Sequence, residues 1–346
     1  MDSNILWIEK YQPKSLDLLK YNIDIGKQLK ELLEGDDFPH ILFYGTSGAG
    51  KRTLAHCLLR ELFGSRVDKM RGEIREFEKG KSSKVECTVI SSSYHIEVTP
   101  SEAGNNDKIV VQKLIKEVAG SHIVMTENQK KFKVIIINEM DYLSKDAQAG
   151  LRRTMEKYMG NCRILMNCQC ISKVIEPLKS RCLLVRVPAP SYEEVENVCK
   201  KIMTHESATV SKEKLREIAL KSKRNMRRAI MMLQVIVVNE ERASIQVPQY
   251  EAFTQEIATD IVREQTPKQL KDIREKFDEL LVKLVPAREI FWILLVSLLA
   301  KVPKEIHFEI VAAAAIYDHR AQIGSKPIMH LEAFTARAMS IIKANK

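Results

Sequence analysis

The run Gly45-Thr46-Ser47-Gly48-Ala49-Gly50-Lys51 limits the possible folds of this chain more than any other stretch. It follows the short apolar run Ile41-Leu42-Phe43-Tyr44, and residues with helical period follow it from Thr53 to Leu62. A glycine-rich turn between a buried strand and a helix can wrap backbone N–H groups around an anion, at a point where the helix dipole favours negative charge. Lys51 adds a point charge suited to β- and γ-phosphates. An ordinary glycine turn is the competing reading, but the strand–loop–helix setting favours a mononucleotide pocket. Further buried-strand patterns, Lys133–Ile137, Ile164-Leu165-Met166 and Leu183-Leu184-Val185-Arg186-Val187, alternate with helical stretches. That alternation predicts an α/β unit with a parallel sheet.

Beyond Pro188-Ala189-Pro190 the strand signals vanish. Ser191 and Glu194 form a capping box, and helical periodicity continues to about Asn239. Residues Ser244 to Gln249 read as a linker, and four or five long helices follow, one opened by the cap Thr266 and Pro267. The segment Ile290 to Ala300 is apolar nearly all round, which predicts a helix buried between others. The expected organisation is an α/β nucleotide-binding domain over residues 1–187, a small helical lid over 188–247 and a C-terminal helical domain over 248–346.

Composition narrows the function classes. Apolar residues are 45% and charged residues 29%, enough to bury a core and unlike a disordered chain. The net charge of +10 favours polyanionic partners without choosing among them. Seven cysteines, an odd number without zinc-knuckle spacing, predict reduced thiols and no metal site, Cys168 and Cys170 being the only near approach to one. Met1-Asp2-Ser3-Asn4 is unlike a signal peptide, and the longest apolar run, Phe291 to Ala300, is about half of what a membrane span needs. Together these predict a soluble, intracellular protein.

The metal side of the nucleotide pocket departs from the ordinary pattern. The position after Lys51 usually carries Ser or Thr, whose hydroxyl ligates Mg²⁺. Here it is Arg52, and Thr53, rotated by about 100° on a helix, should point elsewhere. Ile135-Ile136-Ile137-Asn138-Glu139 has the form of a Walker B strand in which Asn138 replaces the first carboxylate and Glu139 remains as the residual base. Two independent losses predict a site that holds ATP or ADP but hydrolyses slowly or not at all, and leave open whether Mg²⁺ is held. A working ATPase in which Arg52 and Asn138 are harmless is the alternative.

These residues resemble AAA+ ATPases, and specifically the small subunits of the replication factor C clamp-loader family. Leu6-Trp7-Ile8-Glu9-Lys10-Tyr11-Gln12-Pro13 resembles the family's opening segment, Phe38-Pro39-His40 precedes the phosphate loop as in the family, and Ser180-Arg181-Cys182 matches its signature motif. The stretch from Asp146 to Tyr158 is close to its central helix. Ser93-Tyr94-His95-Ile96-Glu97-Val98-Thr99-Pro100-Ser101 and Tyr317-Asp318-His319-Arg320 are similar to one branch of the family, numbered 3 or 5 in different nomenclatures. In that branch the metal-ligating hydroxyl and the Walker B aspartate are typically absent, which Arg52 and Asn138 fit.

The resemblance implies a heteropentamer with other replication factor C subunits that uses ATP to load the PCNA sliding clamp onto primer–template DNA, in the nucleus and away from membranes. It implies that Arg181 is an arginine finger acting in trans on a neighbour's γ-phosphate, worth about 10³–10⁵ in rate. Arg227 matches the lid sensor, Gln169 stands where the polar sensor is usually Asn, and Tyr11 lies near the nucleotide. Gln12 replaces an arginine near the expected adenine pocket, and Pro327 stands where the branch usually has alanine. The helix from about Asn106 to Val118 matches the DNA-facing helix, with Lys108 and Gln112 as backbone-phosphate contacts. The C-terminal helices correspond to the collar that holds the ring. An autonomous ATPase, such as a helicase loader or remodeller that uses Glu139 itself, is the rival reading.

Overall fold

In the computed structural model the described residues are 5–35, 38–79, 83–120, 132–158, 160–238 and 247–345. The chain divides into two compact units, Met1–Ile245 and Gln246–Lys346. Residues Met1 to Asn4, Asn239, and Ser244 to Gln246 of the expected linker lie outside the described set.

The first unit begins with α1 (Trp7–Lys10), α2 (Ile23–Glu34), β1 (Ile41–Tyr44) and α3 (Lys51–Phe63). Next come β2 (Arg71–Lys79), β3 (Ser83–Ser91), β4 (His95–Val98) and α4 (Asp107–Gly120). Then follow β5 (Lys133–Ile137), α5 (Lys145–Lys157), β6 (Cys162–Cys168), α6 (Glu176–Lys179) and β7 (Leu183–Arg186). The helices α7 (Tyr192–Glu206), α8 (Lys212–Lys221) and α9 (Met226–Val238) complete it.

The seven strands form one sheet in the order β2-β3-β4-β5-β6-β1-β7. Strands β4, β5, β6, β1 and β7 are parallel. The apolar runs predict all of these but β4, and β7, read as a buried run, is instead an edge strand with Leu183 and Leu184 exposed. The hairpin β2–β3 and the pairing of β3 with β4 are antiparallel, so the sheet is mixed rather than purely parallel. Val134, Ile135, Ile136 and Ile137 are all within 1% of complete burial, because helices cover both faces. One face packs Val110, Leu114, Leu151 and Met155 of α4 and α5 against Ile135, Ile137 and Met166. The other packs Leu29 of α2 and Leu54, Leu58 and Leu59 of α3 against Ile41, Phe43, Ile136 and Leu165. Alternation along each strand therefore sends His95 and Glu97 of β4, with Asn138 and Asn167, toward the α3 face.

Helices α7–α9 gather around their own cluster, including Val195, Ile202, Ile218 and Leu233, and Trp7 of α1 joins it. The capping box closes as expected: Ser191 Oγ accepts from Glu194 N–H, and the Glu194 carboxylate accepts from Ser191 N–H.

The second unit is five helices: α10 (Gln249–Arg263), α11 (Pro267–Val282), α12 (Ala287–Leu299), α13 (His307–Ile323) and α14 (Pro327–Ala344). Thr266 caps α11 by accepting from Gln269 N–H, with Pro267 at the first helical position. Phe277, Ile290, Leu294 and Phe334 are fully buried at its centre. The all-round burial expected for residues 290–300 is corrected: Trp292 is 64% and Val296 48% exposed, so α12 buries one stripe and leaves an apolar stripe on its surface.

Candidate nucleotide site

Three glycines between β1 and α3 take positive φ: Gly45 (152°), Gly48 (73°) and Gly50 (93°). Close approach reinforces the requirement at two of them. A Cβ on Gly45 would fall 2.1 Å from the Val187 carbonyl oxygen, and one on Gly48 would fall 1.9 Å from the Asn225 side chain. The loop thus closes tightly at the N-terminus of a thirteen-residue helix, where unpaired N–H groups and the helix dipole suit phosphate. Thr46 and Ser47 are exposed, Ala49 is buried beneath them, and Lys51 Nζ donates to the carbonyls of Gly45 (2.7 Å) and Thr46 (2.8 Å). Burial is the main influence on Lys51 and lowers its pKa; Cys168 and Asp141 oppose the shift and the nearby Arg227 charge adds to it.

Beside the loop lies an interaction that the sequence reading did not assign. Arg52 turns toward the sheet and grips Glu97 of β4, Nε to Oε1 at 2.7 Å and one Nη to Oε2 at 3.0 Å. Asn138 Nδ2 donates to Glu97 Oε1 at 2.6 Å, and His56 Nε2 lies 3.2 Å from Oε2. Asn167 Nδ2 donates in turn to Asn138 Oδ1 at 2.8 Å. The Glu97 side chain is 2% exposed. Burial alone would raise its pKa, but the His56 hydrogen bond, the Arg52 charge and the Asn138 hydrogen bond outweigh that and hold it at about 2. His95, edge-on to His56 with centroids 6.0 Å apart, is lowered to about 4 by burial and then by the His56 charge, so it is neutral at pH 7.

Mg²⁺ does not fit this arrangement. Position 52 offers a guanidinium and position 138 an amide whose oxygen is already occupied. The Glu97 carboxylate has about four lone-pair sites, and four contacts from three cationic or amide side chains occupy them. Among the described residues no group of three or more His, Cys, Asp or Glu side chains could hold a metal ion.

The other expected site residues fall in three places. Glu139 follows β5 in the left-handed region (φ 53°), exposed, and accepts from Ser101 Oγ at 2.9 Å. Gln169 is exposed after β6, its N–H donated to the buried Asp141 carboxylate, which also accepts from Cys170 N–H. Thr53 turns away from Arg52, within 3.5 Å of the Gln12 amide. Tyr11 stacks on His205 and donates its hydroxyl to Glu206 of α7. Arg227, exposed, opens α9, whose first N–H (Met226) donates to the Gly48 carbonyl at 3.2 Å. Asn225 caps that helix by accepting from Arg228 N–H and rests its amide over Gly48. Asn225 and Met226 thus bring the start of α9 against the loop at Gly48, while Glu139, Gln169 and Tyr11 are held by their own partners.

Arg181 does not join them. It precedes β7, whose first residue, Leu183, pairs with Ile41 at the start of β1, whereas the phosphate loop leaves the far end of that strand. Four residues of strand separate the two ends, roughly 13 Å. Arg181 forms a surface pair with Glu156 at 2.7 Å and donates to the Pro177 carbonyl at 2.8 Å. Such an exposed pair is weak and easily exchanged. Lys108 is exposed on α4, and Gln112, one turn on, is half-buried with its amide against Gly150 of α5.

Comparison with known proteins agrees along the chain. Residues 250–346 match the family described as replication factor C subunit 3, C-terminal domain, and residues 197–238 the RCF1/5-like AAA+ ATPase lid domain. Residues 22–191 match the DNA polymerase III delta subunit family. The chain is 43% identical over 342 residues to replication factor C subunit 3 of Mus musculus, covering 98% of this chain and 96% of the mouse protein. It is 39% identical to replication factor C subunit 5 of Schizosaccharomyces pombe, covering 97% and 96%. Among solved structures it is similar in fold to the RuvB Holliday junction branch migration motor of Thermotoga maritima, with TM-score 0.50, 17% identity and coverage of 77% of this chain and 85% of that one.

Proposed function

This chain belongs to the replication factor C family of AAA+ clamp-loader subunits, and from that premise we propose that it takes part in ATP-driven loading of the PCNA ring at primer–template junctions in the nucleus. It does so within a heteropentamer, contacting DNA through backbone phosphates by way of Lys108 and Gln112 on α4. Its own loop, residues Gly45 to Thr53 with Tyr11, Asn138, Gln169 and Arg227, holds ATP or ADP mainly for occupancy. Arg181 serves the γ-phosphate on a neighbouring subunit. The collar role belongs to residues 248–346 and the lid role to residues 188–247.

The separation of the two assets carries this reading. The loop lies at one end of the parallel strands and Arg181 at the other, a separation that supports service to another nucleotide rather than its own. On the loop side, the two altered metal positions, Arg52 and Asn138, are both committed to the Glu97 carboxylate, together with His56. Lys51, half-buried against the carbonyls of Gly45 and Thr46, supplies the positive charge for phosphate.

The test is nucleotide retention by the purified chain. Wild type retains radiolabelled ADP through gel filtration, and Lys51→Ala loses it, since removing a buried charged partner of phosphate costs roughly 2–5 kcal/mol. Equal retention by the two proteins would overturn the assignment of the loop. The rival, an autonomous ATPase, has Glu139 in its favour; substantial Mg²⁺-dependent turnover by the isolated chain would establish it.

A further inference from the structure

We infer that Arg52, clamped by Glu97, is a resident cation standing where this fold ordinarily recruits a divalent metal, so the pocket takes a nucleoside di- or triphosphate without one. The inference rests on the reading above that the loop holds nucleotide, and goes on to say how.

Both positions that would face the metal are turned inward onto the same buried carboxylate. Arg52 approaches side-on through Nε and one Nη, a two-point geometry that fixes the plane of the guanidinium. The outer edge of that plane, with the remaining N–H groups, is left over: the Arg52 side chain is 52% exposed, while Glu97 beneath it is 2% exposed. Arg52 is the second residue of α3, directly after Lys51 at the end of the loop. An arginine cannot lose its proton at any accessible pH, so the cation is permanent and depends on no ion concentration.

The anchor is itself held from three sides. His56 comes from the next turn of α3, Asn138 from the end of β5, and Asn167 from β6 fixes the Asn138 amide so that its nitrogen faces Glu97. With Asn138 Oδ1 accepting from Asn167 and the Glu97 oxygens taken by four contacts, the one carboxylate of this cluster is fully engaged by protein donors rather than left for a metal. The charge balance differs accordingly. Lys51, Arg52 and Glu97 sum to +1, +1 and −1, a net +1, whereas a lysine, a divalent ion and one carboxylate would sum to +2. A fixed single charge serves binding and positioning but lacks the Lewis acidity of a metal.

The experiment uses the purified full chain and a fluorescent ADP analogue, titrated once in millimolar Mg²⁺ and once in EDTA. The inferred outcome is a dissociation constant that changes by less than about threefold between the two buffers, with Arg52→Ala weakening the metal-free affinity by about tenfold or more. In the double variant R52T/N138D, which restores the usual ligands, binding should fall about tenfold or more when Mg²⁺ is removed. A wild-type affinity that collapses in EDTA overturns this inference while leaving nucleotide occupancy intact. No binding in either buffer, with Lys51→Ala indistinguishable from wild type, overturns both. The comparison of buffers on wild type decides the matter even where the double variant fails to fold.

Discussion

Replacing Glu97 with glutamine removes one negative charge and almost no volume from a polar position that is only 2% exposed. In the native protein the carboxyl titrates at about 2, against 4.5 for an unperturbed glutamate. At about 1.4 kcal/mol per tenfold change in the proton equilibrium, the charged form contributes on the order of 3 kcal/mol to stability at neutral pH. Because the folded pKa is depressed, that contribution is fully present above about pH 4.5 and is lost as the pH falls through the folded value. The difference between wild type and Glu97→Gln in guanidinium unfolding should therefore be on the order of 3 kcal/mol near pH 7 and shrink to about half near pH 3. Glutamine keeps one carbonyl oxygen for Asn138 or Arg52, so the variant should remain folded. Equal stability of the two proteins at pH 7, or a gap that stays constant down to pH 3, would refute the idea that the His56 and Arg52 contacts outweigh the cost of burying this charge.

Arg181→Ala should leave assembly with partner subunits unchanged by gel filtration and reduce ATP turnover at the served site by about 10³-fold or more; unchanged turnover of the complex would remove the finger assignment. Gly45→Ala should destabilise the chain by several kcal/mol, because its Cβ meets the Val187 backbone at 2.1 Å. Gly48→Ala meets only the Asn225 side chain, so it should cost less stability but still weaken nucleotide binding; the reverse order in thermal melts would contradict this. Phe277→Ala, at the centre of the C-terminal unit, should cost about 3–5 kcal/mol in chemical denaturation.

The sequence revealed some of this and hid the rest for identifiable reasons. Strands β1, β5, β6 and β7 were legible because they are compact apolar runs, and a sheet covered on both faces leaves little room for anything else. The β2–β3 hairpin was not. In Arg71-Gly72-Glu73-Ile74-Arg75-Glu76-Phe77-Glu78-Lys79 the two apolar residues are three apart, and Ile74 is 72% exposed while Phe77 is buried. β2 therefore carries no period-two signal, whereas β3 buries Val85, Cys87 and Val89 at alternate positions, a pattern that the sequence reading passed over. The phosphate loop and the two altered metal positions were readable locally. Their common partner was not: Glu97 lies 45 residues from Arg52 and 41 from Asn138, and only sheet register brings the three together. The stripe of Trp292 and Val296 was missed for the opposite reason, since an apolar helix looks the same in sequence whether or not every side is covered.

On the proposed role, the position of Arg181, ahead of β7 and across the strand length from the glycine loop, would give the subunit a plug at one pole and a socket at the other. Units of that kind join only nose to tail. A two-fold pair would bring plug to plug and leave both sockets without a guest. A file of such units has a first and a last member, each with one half of its chemistry unmatched, so every place in the row is chemically distinct. A member whose own socket has stopped working forfeits nothing the row needs, provided its plug still reaches the next.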